Sequence, residues 1–216
     1  MTHAERMARF AGADLYVVIT EAHCAGRRAV DVLDAVLDAG VRLIQFREKD
    51  LDGGELYRRA AAFRERTAEH GALLIVDDRV DVALAVEADG VHLGQGDLPV
   101  RVARAIAPDL VIGASTHDLH EAIAAQRDGA SYVNIGPIFS TQTKRVAGGA
   151  IGPEAIEAIC PHLRIPFTTM GGIKAHNIAQ VLDRGARHVA VVTAVTEADD
   201  PREAARALRD IMRRAR

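Results

Sequence analysis

The segment Gln45-Phe46-Arg47-Glu48-Lys49-Asp50 sets an amide and two cations at alternate positions. In an extended chain Gln45, Arg47 and Lys49 point one way, and Phe46 and Glu48 the other. An arginine fork beside a lysine point charge suits the oxygens of a phosphate. Two acids, Asp78 and Asp97, stand further along. Taken singly, each is equally at home capping a helix. Converging beside a phosphate-rich ligand, two carboxylates are the usual way Mg2+ is held, with water and phosphate completing the octahedron. Without a cation they would repel that ligand. Together with Arg47, Lys49 and Lys144 they point to a Mg–pyrophosphate site. Residues 136–152 form the longest loop and carry Thr141, Gln142, Thr143 and Lys144 among glycines. Its hydroxyls and lysine can meet phosphate oxygens. The pairs Gly171-Gly172 and Thr193-Ala194 allow backbone N–H groups to approach an anion closely. A structural turn is the competing reading of the glycines.

These clusters need elements to position them. Short apolar runs at 15–20, 41–46, 72–76, 90–93, 110–113, 131–135, 166–170 and 188–192 read as strands. Most are uniformly apolar, so both faces are covered. Amphipathic patterns at 27–39, 53–70, 80–86, 99–106, 118–128, 153–160, 175–184 and 201–213 read as helices. Pro99, Pro153 and Pro201 suit first helical positions, and Asp118 a cap. Strand–helix alternation repeated eight times implies parallel strands in an α/β protein. Eight units close naturally into a (β/α)8 TIM barrel, here a single domain over 1–216 with 1–13 as an N-terminal extension or helix. A doubly wound open sheet is the rival, but no GxGxxG follows the first strand. Every polar cluster follows a strand, so in a barrel all of them share one face.

The composition narrows the function. The chain is 216 residues long, 49% hydrophobic and 26% charged, with a net charge of −3. There is no basic surplus for nucleic acid. No apolar run approaches the roughly 18–20 residues of a membrane span. Cys24 and Cys160 lack metal or redox spacing and read as reduced thiols of a cytoplasmic protein. His92 lies in an apolar run and suits packing. His117 could shuttle a proton. No nucleophile elbow or histidine metal motif is found.

The sequence resembles the thiamine phosphate synthase family from about residue 15 to 205. The resemblance rests on Q-F-R-E-K-D, D-D-R-V-D-V-A-L-A, A-D-G-V-H-L-G-Q-G-D, G-A-S-T-H, G-P-I-F-S-T-Q-T-K, M-G-G-I and V-A-V-V-T-A-V, in that order. It implies a transferase that joins hydroxymethylpyrimidine diphosphate to a thiazole phosphate, releasing pyrophosphate by a dissociative, Mg2+-assisted route. By the same resemblance Gln45, Phe46, Arg47, Glu48, Lys49, Asp77, His92, Ser115 and Lys144 belong to the pyrimidine diphosphate site. Ser115, Lys144, Arg47 and Lys49 act in catalysis, and Asp78 and Asp97 hold the metal. Thr141, Gln142, Thr143, Gly171, Gly172, Val192 and Thr193 line the thiazole phosphate site. The expected partners are small molecules, with neither nucleic acid nor membrane; a homo-oligomer is left open.

The chain departs from the family pattern at four positions. Asp77 stands where Asn is usual, so an acceptor-only group replaces a donor–acceptor. That puts a substrate contact in doubt, or adds a ligand to the metal. Ser140 replaces a usual Pro, Met170 an aliphatic residue, and Thr193 a Ser. Two other readings remain. One is a thiazole tautomerase of the same barrel family, for which His117 is suited. The other is a non-catalytic barrel that binds thiamine-pathway phosphates.

Overall fold

The computed structural model describes residues 1–141, 143 and 148–215; Gln142 and Lys144, both assigned to the site above, lie outside them. The chain runs α1 (His3–Gly12), β1 (Leu15–Ile19), α2 (Ala29–Asp38), β2 (Leu43–Phe46), α3 (Gly53–Glu69), β3 (Leu73–Asp77), α4 (Val80–Ala85) and β4 (Gly90–Leu93). It continues with α5 (Val100–Ile106), β5 (Val111–Thr116), α6 (Leu119–Arg127), β6 (Tyr132–Ile135), α7 (Glu154–Ile159), β7 (Phe167–Thr169), α8 (Ile178–Leu182), β8 (His188–Val191), α9 (Thr193–Thr196) and α10 (Pro201–Arg214). The strands are parallel and close in sequence order, β1 pairing with β8 through Leu15↔Val189 and Tyr16↔Ala190. This is the (β/α)8 barrel expected from the alternation.

Two apolar layers hold it. The larger lies between sheet and helices, where Leu33 and Val36 of α2 and Phe63 of α3 are buried with outward-facing strand residues such as Val17, Ile44 and Leu74. The smaller fills the barrel's interior at its N-terminal end with Tyr16, Leu43, Leu73, Val111 and Tyr132. Phe10 of α1 closes that end, stacked on Tyr132 at 4.8 Å between ring centroids. Residues 1–13 therefore form the barrel's plug. Thr2 and Glu5 make a capping box that starts α1, so its short sequence holds a helix. Asp14 at the foot of β1 accepts from Arg209 Nε of α10 at 2.9 Å, tying the last helix to the first strand. Asp89, fully buried, accepts from Leu74 N and Arg64 Nη1 at 2.9 Å each. In such a barrel these ties lie opposite the functional face and serve stability.

The largest departures from the expected extents are in β5 and α8. The strand expected over 110–113 continues to Thr116, because Ser115 and Thr116 pair with Asn134 and Ile135 of β6. The helix expected from 175 starts at Ile178, since Asn177 is occupied in bracing the preceding loop. The short α9 was not anticipated; it follows β8 directly. No helix among the described residues is long and apolar enough to cross a membrane.

Candidate active site

The loops after the strands surround an open cavity of about 990 Å³ at the C-terminal mouth of the barrel. Its floor and walls divide by chemistry. On the β2–β3 side, Arg47 Nε stands 3.3 Å from Asp77 Oδ2, and Lys49 Nζ stands 3.2 Å from the same atom. Lys49 also pairs with Asp78. Asp78 has φ +60°, a left-handed conformation unusual for a residue with a side chain. Its amide is held by His92 O at 2.8 Å. That turn aims the carboxylate at Lys49 instead of letting it cap α4. Asp97 accepts from Gly94 N at 2.8 Å and reaches Asp78's carboxyl, without itself lining the cavity.

Three carboxylates thus crowd two cations. Burial, and then the charge of Asp77, push Asp78 up to about 6, although the bond from Lys49 opposes this. Burial pulls on the Lys49 ammonium too, but Asp77 and Asp78 more than offset it, and its pKa rises. The partners differ because Asp77 and Asp78 both favour the Lys49 charge, whereas Asp77 opposes that of Asp78.

On the β6–β8 side the described residues supply hydroxyls, glycines and one cation, set among apolar ones such as Met170 and Ile173. Thr141 and Thr143 bond to one another, with Thr143 N donating to Thr141 Oγ1 at 3.3 Å. Gly171 and Gly172 both have positive φ, +106° and +62°. A Cβ on Gly171 would lie 2.4 Å from Pro137 Cβ, and one on Gly172 would lie 2.5 Å from Ser140 O. The double glycine is therefore required by packing against the loop after β6, as well as leaving that wall bare. Lys174 Nζ donates to Thr193 Oγ1 at 2.7 Å.

Between the two sides, beneath the mouth, runs a buried chain of hydrogen bonds. Gln45 Nε2 donates to Tyr16 Oη at 2.7 Å. Tyr16 Oη is 3.0 Å from Tyr132 Oη, which is 3.0 Å from His92 Nδ1. His92 Nε2 is 3.0 Å from Ser115 Oγ. Burial pushes both phenols up in pKa, so both keep their protons. With Gln45 donating at one end, one arrangement satisfies every member: Tyr16 donates to Tyr132, Tyr132 to His92 Nδ1, and His92 Nε2–H to Ser115. Ser115 is then left with its own proton for the cavity. Gly113 makes room for this packing: a Cβ there would lie 2.2 Å from Tyr132 Cζ and 2.5 Å from His92 Nδ1.

The chain that builds this mouth, with its hydroxyl–glycine wall, carboxylate–cation cluster and polar floor, matches a known family. The thiamine monophosphate synthase family matches residues 15–195. The chain belongs to that family. A thiamine-phosphate synthase of Moorella thermoacetica is 46% identical over 94% of this chain and 97% of its own length. Another, of Pelotomaculum thermopropionicum, is 42% identical over 94% of this chain and 93% of its own. Thiamine phosphate pyrophosphorylase from Pyrococcus furiosus superposes with a TM-score of 0.87 at 39% identity, covering 94% of this chain and 96% of that one. The chain is accordingly an enzyme, a transferase of thiamine biosynthesis.

The family site can now be compared residue by residue. Gln45, Arg47, Lys49, Asp77, Asp78, His92, Ser115, Thr141, Thr143, Gly171, Gly172, Val192 and Thr193 all line the cavity. Phe46 and Glu48 do not. Phe46 packs outward on Phe63 of α3 at 4.8 Å, and Glu48 accepts from Glu21 N at 2.7 Å. Strand alternation accounts for both: each is out of phase with Gln45, Arg47 and Lys49. Sequence reasoning missed Tyr16, Tyr132 and Lys174. The tyrosines were counted as apolar strand residues. Tyr16 lies in an otherwise aliphatic strand and Tyr132 two residues from Asn134, and neither setting tells a floor hydroxyl from a core ring.

A divalent cation suits this donor set. Among the described residues no group of three or more His, Cys, Asp or Glu is placed to hold a metal. A pair of carboxylates leaving most positions to water and phosphate is the pattern expected for Mg2+, not for a protein-caged ion. The crowding that raises Asp78 is what a cation would relieve, and the Lys49 ammonium already stands against that carboxylate. Asp77 faces Arg47 and Lys49, and shares Lys49 with Asp78.

Proposed function

We propose that the enzyme condenses 4-amino-2-methyl-5-hydroxymethylpyrimidine diphosphate with 4-methyl-5-(2-phosphooxyethyl)thiazole, giving thiamine phosphate and pyrophosphate. The observation that carries this reading is the division of one cavity into a cation–carboxylate side and a hydroxyl–glycine–lysine side. Two phosphorylated substrates can be held apart there with their reacting ends meeting over the polar floor.

In this reading the C–O bond to the diphosphate breaks and its electron pair leaves with pyrophosphate. The thiazole nitrogen then gives its lone pair to the methylene carbon. Nothing has to be deprotonated, so in this reading the His92–Ser115 pair, 3.0 Å apart, serves to orient a donor and not as base and nucleophile. Arg47 and Lys49 bind the diphosphate, exchanging part of their contact with Asp77 for phosphate oxygens. Ser115 donates to the departing group with the proton left to it by His92. Gln45 and His92 hold the pyrimidine edge of the site. Lys144, outside the described residues, is assigned by resemblance to assist the departure. Asp78 and Asp97 would hold Mg2+, which supplies charge neutralisation to the leaving pyrophosphate. Thr141, Thr143, Gly171, Gly172, Val192 and Thr193, with Gln142 by resemblance, receive the thiazole phosphate. Alignment and leaving-group stabilisation together supply the catalysis. Free thiols at Cys24 and Cys160 support a cytoplasmic setting.

The test is to incubate purified protein with both substrates and Mg2+ and to assay thiamine phosphate and pyrophosphate. Equimolar formation of both is expected. Isomerised thiazole without either product would establish the tautomerase instead, and binding without turnover would establish a non-catalytic barrel.

A further inference from the structure

We infer that Lys174 is the charged anchor for the phosphate monoester of the acceptor substrate and sets the preference for a phosphorylated acceptor; this rests on the reaction proposed above. The two described cations on the opposite wall, Arg47 and Lys49, already face carboxylates. Lys174 differs. Among the described residues it makes no ion pair, and its ammonium donates instead to a neutral hydroxyl, Thr193 Oγ1, at 2.7 Å within the cavity. A half-buried ammonium without a counter-charge is costly unless a ligand provides one.

The surrounding geometry defines that ligand. Accepting from Lys174 leaves Thr193 its own proton, so a hydroxyl and an ammonium converge as donors. Both follow strands 7 and 8, where barrels of this kind commonly bind phosphate. The loop carrying Lys174 is braced in place. Asn177, buried, accepts from Lys174 N at 2.7 Å and donates to Gly172 O at 3.0 Å. Gly172 therefore stays fixed beside the pair, with no side chain to obstruct a phosphoryl group. A bare alcohol would gain little from such a pair, whereas a dianionic monoester would gain a charge-assisted bond.

Lys174→Met is the direct test, with Lys174→Arg as the charge-conserving control. In Lys174→Met the KM for the thiazole phosphate should rise on the order of ten- to a hundredfold, as for loss of a hydrogen bond to a charged group. The KM for the pyrimidine diphosphate should stay unchanged, and Lys174→Arg should recover most of the loss. The wild-type preference for phosphorylated over unphosphorylated thiazole should shrink by the same factor. A readout independent of turnover is inorganic phosphate titrated against the amide resonances of Gly172 and Thr193. Shifts are expected in the wild type and not in Lys174→Met. Should the wild type make no thiamine phosphate while those shifts still depend on Lys174, the reaction fails and the anchor stands. An unchanged acceptor KM, a parallel rise in both KM values, or equal phosphate shifts in both proteins would overturn it.

Discussion

Tyr132→Phe tests whether the buried chain acts on the chemistry or merely fills the barrel. The substitution removes one oxygen and keeps the ring, so the stacking on Phe10 at 4.8 Å and on His92 at 5.7 Å is retained. It leaves Tyr16 Oη and His92 Nδ1 each without the bond they now make to Tyr132. Unmet polar groups in a dry interior cost about 1–3 kcal/mol. For a chain of this size roughly 2 kcal/mol corresponds to a fall of about 4–8 °C in Tm. A purely structural role predicts that fall and nothing more. The directed chain predicts a further effect, because His92 loses the contact that fixes its proton on Nε2, and with it the orientation of Ser115. kcat should drop by about tenfold, or about 1.4 kcal/mol in the barrier, while both KM values hold.

The double variant makes this decisive. If Tyr132 works through Ser115, then in Ser115→Ala the added Tyr132→Phe should cost little further kcat, although the two stability losses still accumulate. Single-turnover rates at saturating substrate, measured beside thermal unfolding, separate the two quantities. Unchanged kcat in Tyr132→Phe, or fully multiplicative kcat losses in the pair, would refute the relay and leave the tyrosine a packing residue.

Four other outcomes are expected. Asp77→Asn should release Arg47 and Lys49 from a competing carboxylate and lower the KM for the diphosphate substrate severalfold; a raised KM would show that Asp77 itself serves binding. Asp78→Asn should stabilise the Mg2+-free protein by about 1–2 kcal/mol, by removing one of the crowded charges, and should abolish activity; a lower Tm without metal would contradict that account. Gly113→Ala should destabilise by about 1–3 kcal/mol and depress kcat, because its Cβ would press on both Tyr132 and His92; wild-type Tm and kcat would count against the packing. Burial, helped by Glu21 and Glu48, pushes the Cys24 thiol up to about 11, so iodoacetamide at pH 8 should label Cys160 in the native protein and leave Cys24 untouched; equal labelling, read by mass spectrometry, would show that Cys24 is reached by local opening.

The barrel was legible because its signals are local. Strand–helix alternation and glycine caps such as Gly40, with φ +82°, are written into short stretches. So was the face that carries the site, since in a parallel barrel every loop after a strand reaches the same mouth. Period-two alternation was also enough to orient Arg47 and Lys49 inward. The same rule turns Phe46 and Glu48 away from the cavity, although both sit inside a matched motif. Less legible was whatever depends on register between distant strands. Tyr16 and Tyr132 are separated by 116 positions and meet only once the barrel closes. Neither has a local pattern that distinguishes a floor hydroxyl from a core ring.

Asp77 and Lys174 show the same limit from the side of charge. In the sequence Asp77 was a departure from the family's usual Asn, with two opposed consequences. Closure places it against Arg47 and Lys49, a contact that no stretch of the sequence displays. Lys174 follows the last residue of a matched motif and was passed over, yet barrel closure sets its ammonium on the hydroxyl of Thr193, nineteen positions away. The two residues are complementary. One adds negative charge to the wall that must bind a diphosphate, and the other adds positive charge to the wall that must bind a monoester. If both act as the geometry indicates, the donor wall carries a charge that weakens anion binding and the acceptor wall one that strengthens it. Asp77→Asn and Lys174→Met should then move the two KM values independently, each affecting only its own substrate.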